Sequence, residues 1–117
     1  MDIIHDSLNP YVENSEFPTF IEDTFSELRL GGVMVPPSLG GLGFDYLEHF
    51  SLVYELARKD ASVATFFGVH NSLGVACIDK LGDEKQRAYF LPKAANLETI
   101  FSFGLTEPNF GSDATSL

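Results

Sequence analysis

Apolar positions early in the chain recur at three- and four-residue steps. Phe17, Phe20, Ile21, Phe25 and Leu28 lie on one face of a helix. Pro18 suits its first turn, and Gly31-Gly32 are expected to end it. Two prolines and three glycines within residues 36–43 make Val33–Gly43 a loop. Asp45 to Lys59 reads as a second helix. Asp45 is its N-cap, Glu48 the capping-box partner, and Tyr46, Leu47, Phe50, Val53, Tyr54 and Ala57 its broad apolar face. Glu55 and Lys59 are spaced to pair on the wet side. Ser62 to Leu81 reads as a third helix, apolar nearly all round, and such a helix is central in a bundle or lines an apolar cavity. Gly68 and Gly74 inside it cost about 1 kcal/mol each relative to Ala. That cost points to close approach by a backbone or ligand, and tight helix packing explains it equally well. Gly82 closes this helix. Asp83 caps the next, Glu84 to Leu91, with Gln86 as its box partner, and Pro92 is expected to stop it. Thr99 to Leu105 alternates and carries β-branched and aromatic residues, so it reads as a strand. The chain therefore changes character near residue 99.

Composition narrows the class. The 117 residues carry 7 Lys plus Arg against 17 Asp plus Glu, a net charge of −10. Hydrophobic residues make up 44% and charged residues 21%, a soluble globular balance. The length suits one domain or part of a larger one. The acidic balance argues against nucleic acid or an anionic membrane as partner. Seven acidic residues, Asp2, Asp6, Glu13, Glu16, Glu22, Asp23 and Glu27, precede Arg29, the first basic one, and read as a solvated face. No uninterrupted apolar run reaches about eighteen residues, so no transmembrane helix is expected. The N-terminus has neither a basic region nor a long apolar core, as a secretory signal would. The lone Cys77 leaves no internal disulfide and reads as a small buried hydrophobe.

Chemistry-bearing residues are sparse. His5, His49 and His70 have no metal-ligand spacing, and only His70, inside the apolar helix, invites a ligand role. The carboxylate pairs Asp45/Glu48 and Asp83/Glu84 belong to helix starts. Glu107/Asp113 has no such excuse. It lies in Phe103-Gly104-Leu105-Thr106-Glu107-Pro108-Asn109-Phe110-Gly111-Ser112-Asp113, an extended run entering a tight loop. Pro108 forces Glu107 extended. Gly111 lets a ligand approach the backbone, and the following N–H groups with the Ser112 hydroxyl can form an anion nest. Thr106 offers a donor and an acceptor to a planar heterocycle. Composition alone leaves this a loop, with ligand binding as the sharper alternative.

Four ordered blocks resemble one family. Thr106-Glu107-Pro108-Asn109-Phe110-Gly111-Ser112-Asp113 resembles the Thr-Glu-Pro-x-x-Gly-Ser-Asp signature of acyl-CoA dehydrogenases. Pro36 to Gly43 resembles the family's Pro-x-x-x-Gly-Gly-x-Gly loop. Glu55 to Ala64 resembles its Leu-Ala-x-x-Asp-Ala-Ser junction. Gly82 to Arg87, running on to Phe90-Leu91-Pro92, resembles its Gly-x-x-x-Gln-(Lys/Arg)…(Tyr/Phe)-Leu-Pro segment. The match spans about residues 17 to 117.

The resemblance implies an all-α N-terminal helical bundle domain over 1–98 and the first strand of a truncated β domain over 99–117. It implies FAD as cofactor and α,β-dehydrogenation of an acyl-CoA thioester. Phe103, Leu105, Thr106, Gly111 and Ser112 match positions that hold FAD, Ser112 also lying by the substrate's thioester arm. Phe67, Val69, His70 and Leu73 fall where the family lines its acyl pocket. The catalytic Glu base, usually in the family's C-terminal domain, has no counterpart here. The expected chain is therefore a fragment, a truncated product or a subunit whose partner supplies the rest, inactive alone. A scaffold or regulatory module is the alternative, as is an acyl-CoA oxidase or flavin monooxygenase of the same fold. Electron-transfer flavoprotein as acceptor and a homo-oligomeric full-length form are implied, in a bacterial cytoplasm or mitochondrial matrix. The signature box resembles the glutaryl-CoA dehydrogenase branch in particular. That branch needs a basic pocket residue for its second carboxylate. His70 is the sole candidate before Lys80, so a monocarboxylic substrate is expected.

Overall fold

A computed structural model describes residues 2–116, with side chains from Ser7 onward. The expectations for His5, Asp2 and Asp6 therefore lie outside the described side chains. The chain folds as helices α1 (Asp2–Asn14), α2 (Phe20–Glu27), α3 (Tyr46–Ala57), α4 (Ala61–Gly68), α5 (Ala76–Leu81) and α6 (Glu84–Ala95), with a π-helical segment, Val69–Val75, joining α4 to α5. Two clusters form the core. Leu8, Ile21, Phe25, Val33, Val63 and Phe67 make one, and Val35, Val75, Leu91 and Ala94 the other. The rod of residues 61–81 feeds both, which is why it is apolar nearly all round.

Capping chemistry sets several helix starts. Asp45 and Asp83 each accept the N–H of the third helical residue, and the Glu48 and Gln86 side chains accept the cap N–H in return, completing both expected boxes. Asp60 accepts the Val63 N–H at 2.8 Å, so the Asp-Ala-Ser block is itself a helix start. The rod bends its register at the π segment, where the Ala76 N–H reaches back five residues to the Asn71 carbonyl.

Other expectations give way. Residues 2–14 form a separate helix, α1. Helix α2 ends because Arg29 takes the left-handed conformation at φ 55°, ahead of Gly31-Gly32. Those glycines are buried instead, and a Cβ on Gly31 would overlap the Ala94 carbonyl. Pro92 lies inside α6, which continues to Ala95. The helix forfeits one N–H there, but Leu91, Ala94 and Ala95 are fully buried and hold the last turn. In α3, Tyr46, Leu47, Phe50 and Tyr54 are exposed, while His49 is buried and Leu52, Val53 and Leu56 pack on the core. The helix is apolar on both sides, and the His49 bond to Ser72 fixes which side faces in. Glu55 pairs with Arg58 at 3.1 Å, three residues on. Cys77 is exposed.

The rod Ala61–Leu81, 21 residues, is long and apolar enough to cross a membrane by length and composition, contrary to the count of uninterrupted apolar residues. Core packing accounts for that composition, because Val63, Phe67 and Val75 are buried inside the chain and the polar His70 and Asn71 are bonded there.

Residues 100–106 have no regular secondary structure and join no β-ladder. The described residues contain no strand, only an isolated bridge between Glu107 and Phe110. A ladder needs a neighbouring strand, and the described chain offers none beside this segment.

Candidate functional site

The π segment places two polar side chains in the core. Asn71 accepts the Val33 N–H at 3.3 Å and donates to the Leu30 carbonyl at 2.9 Å and the Phe67 carbonyl at 3.2 Å. His70 donates from Nε2 to the Gly31 carbonyl at 2.9 Å, with the Ala94 carbonyl at 3.3 Å. Its Nδ1 accepts the Phe101 N–H at 3.1 Å. An N–H donor on Nδ1 requires a lone pair there, so the imidazole is neutral with its proton on Nε2. Burial holds the His70 pKa below its ordinary value, against the opposing pull of the Ala94 and Gly31 carbonyls. The same residue pair ties the turn that follows α2, α6 and the C-terminal segment to the rod.

His49 is the second buried imidazole. Its Nε2 lies 2.8 Å from Ser72 Oγ, its ring stacks on Phe67 at 5.3 Å, and its Nδ1 has no partner among the described residues. Burial lowers its pKa as well.

Sequence reasoning passed over Asn71, Phe101 and the His49–Ser72 pair. The signal for Asn71 was present, since a polar dipeptide within an apolar helix must find partners. The partners of the other three are decided by packing.

The pocket candidates separate. Phe67 is fully buried, stacked on His49 and edge-on to Phe25 at 5.9 Å, and His70 is 2% exposed. Neither faces an open slot in this chain. Val69 is half-buried and Leu73 is 38% exposed, four residues apart on the rod, and a Cβ on Gly68 would meet nothing within 4 Å. A cavity of about 80 Å³ lies among Met34, Val35, Phe44, Asn71 and Val75. A groove of about 270 Å³ lies among Leu8, Tyr11, Val12, Phe17 and Val63. Neither touches Val69 or Leu73.

The cofactor candidates share the C-terminal segment. Phe103 and Leu105 are 51% and 46% exposed, apolar surface without a cover in this chain. Thr106 is exposed, and its hydroxyl and N–H have no partner among the described residues. A tight turn follows, closed by the Glu107 N–H to Phe110 carbonyl bond at 2.9 Å and its reciprocal at 3.2 Å. Gly111 and Ser112 then lie exposed, with open space at the Gly111 Cα. Asp113 gains a structural explanation, because its carboxylate accepts the Thr115 and Ser116 hydroxyls at 3.2 and 2.6 Å. The donor set fits a flavin dinucleotide in kind: apolar side chains for the ring, a free hydroxyl and N–H for its polar edge, free N–H groups by a glycine for phosphate.

These features define a class: a helical domain built on one apolar rod, with an exposed, donor-bearing segment tied to it through His70. Residues 2–98 match the family described as "Acyl-CoA dehydrogenase, N-terminal domain". The chain belongs to the acyl-CoA dehydrogenase family. It is 36% identical over 121 aligned residues to an isobutyryl-CoA dehydrogenase of Dictyostelium discoideum, covering 100% of this chain and 29% of that protein. It is 34% identical to an acyl-CoA dehydrogenase of Bacillus subtilis, over 90% of this chain and 28% of that one. Identity to the human very long-chain specific acyl-CoA dehydrogenase is 36%, over 96% and 18%. The chain thus spans less than a third of these relatives' length.

Proposed function

We propose that this chain forms the helical part of an FAD-dependent acyl-CoA dehydrogenase acting on the α and β carbons of an acyl-CoA thioester. The observation that carries the reading is the C-terminal segment, where exposed Phe103 and Leu105 run directly into the unpartnered Thr106 hydroxyl and the open Gly111-Ser112 backbone. Residues 1–98 are then the helical domain and 99–117 the start of the β domain, a division supported by the family match ending at residue 98.

Phe103 and Leu105 lie against the flavin ring, Thr106 hydrogen-bonds it, and Gly111 and Ser112 serve the diphosphate, with Ser112 also near the thioester arm. FAD, when bound, supplies the two-electron sink for the hydrogens that leave the substrate. Val69 and Leu73 line the acyl slot, while Phe67 and His70 support its wall from the core. The base that takes the α proton belongs to the remainder of the enzyme, in keeping with the share of each relative that this chain spans. The substrate is monocarboxylic, because both His70 nitrogens already serve backbone groups and leave no cation for a second carboxylate. Electron-transfer flavoprotein is the acceptor and the full-length form a homo-oligomer. The compartment is a bacterial cytoplasm or a mitochondrial matrix, a reading supported by the word mitochondrial in the names of the Dictyostelium and human relatives.

The test is spectroscopic. The complete polypeptide carrying these residues is purified and titrated anaerobically with straight-chain and branched acyl-CoA thioesters. A yellow protein bleached by at least one thioester is the expected result. A colourless protein that takes up no FAD overturns the reading.

A further inference from the structure

His70 sits at a junction of segments distinct from the flavin contacts and the acyl slot themselves. Its partners come from three separate places: Gly31 in the turn that follows α2, Ala94 in α6, and Phe101 in the C-terminal segment. An imidazole is a rigid plane with its two nitrogens at a fixed separation. The two carbonyls hold Nε2, and the C-terminal segment hangs from Nδ1. Upstream, the Thr99 N–H reaches the Lys93 carbonyl at 3.4 Å, a longer tie. Downstream of Phe101, the described hydrogen bonds of the segment are local, between Glu107 and Phe110 and around Asp113. The Phe101 side chain docks on Gly74 and packs edge-on to Phe90 at 6.0 Å. Phe103 follows two residues later, at most about 7 Å further along the chain.

We propose that His70 is a positioning residue for the flavin-facing segment. By clamping the Phe101 N–H to a ring that the Gly31 and Ala94 carbonyls hold in place, it fixes where Phe103 to Thr106 leave the helical body. This rests on the reading of that segment as flavin-facing, although the clamp itself does not. The role differs from substrate contact, since no atom of His70 need meet the acyl chain.

Two substitutions divide the ring's duties. His70→Asn keeps an acceptor near the Nδ1 position and gives up the Nε2 donor. His70→Gln keeps a donor near the Nε2 position and gives up the Nδ1 acceptor. Residue-resolved hydrogen exchange on the 117-residue chain reads the clamp without any flavin. The expected result is a protected Phe101 amide whose exchange rises at least tenfold in His70→Gln and less than threefold in His70→Asn. In the complete polypeptide, the FAD dissociation constant rises in the same order, with a shift of the visible flavin band in His70→Gln only. Equal effects of the two variants on Phe101 exchange, or an unprotected Phe101 amide in the unsubstituted chain, overturn the clamp. Exchange that splits as expected while flavin affinity and band shape stay unchanged overturns the positioning role. A parent polypeptide that takes up no FAD sinks the proposed function and the positioning role together, and the exchange data still decide the clamp.

Discussion

Gly74 and Phe101 meet so closely that a Cβ built on Gly74 would overlap the Cβ of Phe101. The absent side chain lets the C-terminal segment lie directly on the rod, next to the His70 bond that holds its backbone. Gly68, six residues earlier, faces open space in the same rod. The two glycines therefore respond oppositely to alanine. Gly68→Ala gains helix propensity and stabilises the chain by about 0.5–1 kcal/mol. Gly74→Ala destabilises it by about 1–3 kcal/mol, because the backbone of Phe101 must move. Urea denaturation of the two variants measures both signs.

Asn71 is nearly as costly to lose as a large core residue. Asn71→Leu keeps the volume but strands the Val33 N–H and the Leu30 carbonyl, and it removes the bond to the Phe67 carbonyl. An unsatisfied buried group costs about 1–3 kcal/mol. The expected loss is about 3 kcal/mol, read as a lower urea midpoint with an unchanged slope.

Acidification weakens the fold through its two buried imidazoles. Burial lowers the pKa of both His70 and His49. His70 is faced by the Gly31 and Ala94 carbonyls and the Phe66 and Phe101 rings, and His49 by Ser72, Phe50 and Phe67, with no carboxylate among these contacts. Below about pH 6.5 the unfolded histidines bind protons that the folded ones refuse. The unfolded state then holds more protons, so stability falls as pH falls. The loss continues until the folded imidazoles themselves protonate. Unfolding free energy measured between pH 7.5 and 5.5 is expected to drop toward the acidic end, and a flat profile contradicts this account.

Helix starts contribute by local chemistry alone. Asp45→Ala and Asp83→Ala each remove a side-chain acceptor from a complete capping box. Each is expected to cost about 1 kcal/mol, additively, since the caps share no partner. Thermal unfolding of the single and double variants checks both the size and the sum.

Thr106→Val keeps the shape of the side chain and removes its free hydroxyl. One net hydrogen bond is worth about 1 kcal/mol, so FAD affinity of the complete polypeptide falls about fivefold. Fluorescence of released flavin on dilution reads the change, and identical affinity would remove Thr106 from the flavin contacts.

The capped starts at Asp45 and Asp83, the apolar rod near 62–81 and the family signature around Thr106 were legible in the residues themselves. A cap closes its bonds within one helical turn, and a motif is a string, so neither needs a distant partner. The rest was decided by packing. Pro92 reads as a stop, yet α6 runs through it because Ala94 and Ala95 are buried. The apolar surface of α3 reads as one broad face, yet its Tyr46, Leu47, Phe50 and Tyr54 stay outside while His49 turns inward to Ser72. His70 reads as a pocket residue, yet its partners lie 39, 24 and 31 residues away and make it a fastening between segments. Periodicity can say that a helix has apolar faces and buried polar groups. Which face is covered, and which distant backbone atom satisfies each group, is set only when the segments meet, because those free energies belong to pairs of elements and to no single stretch of sequence.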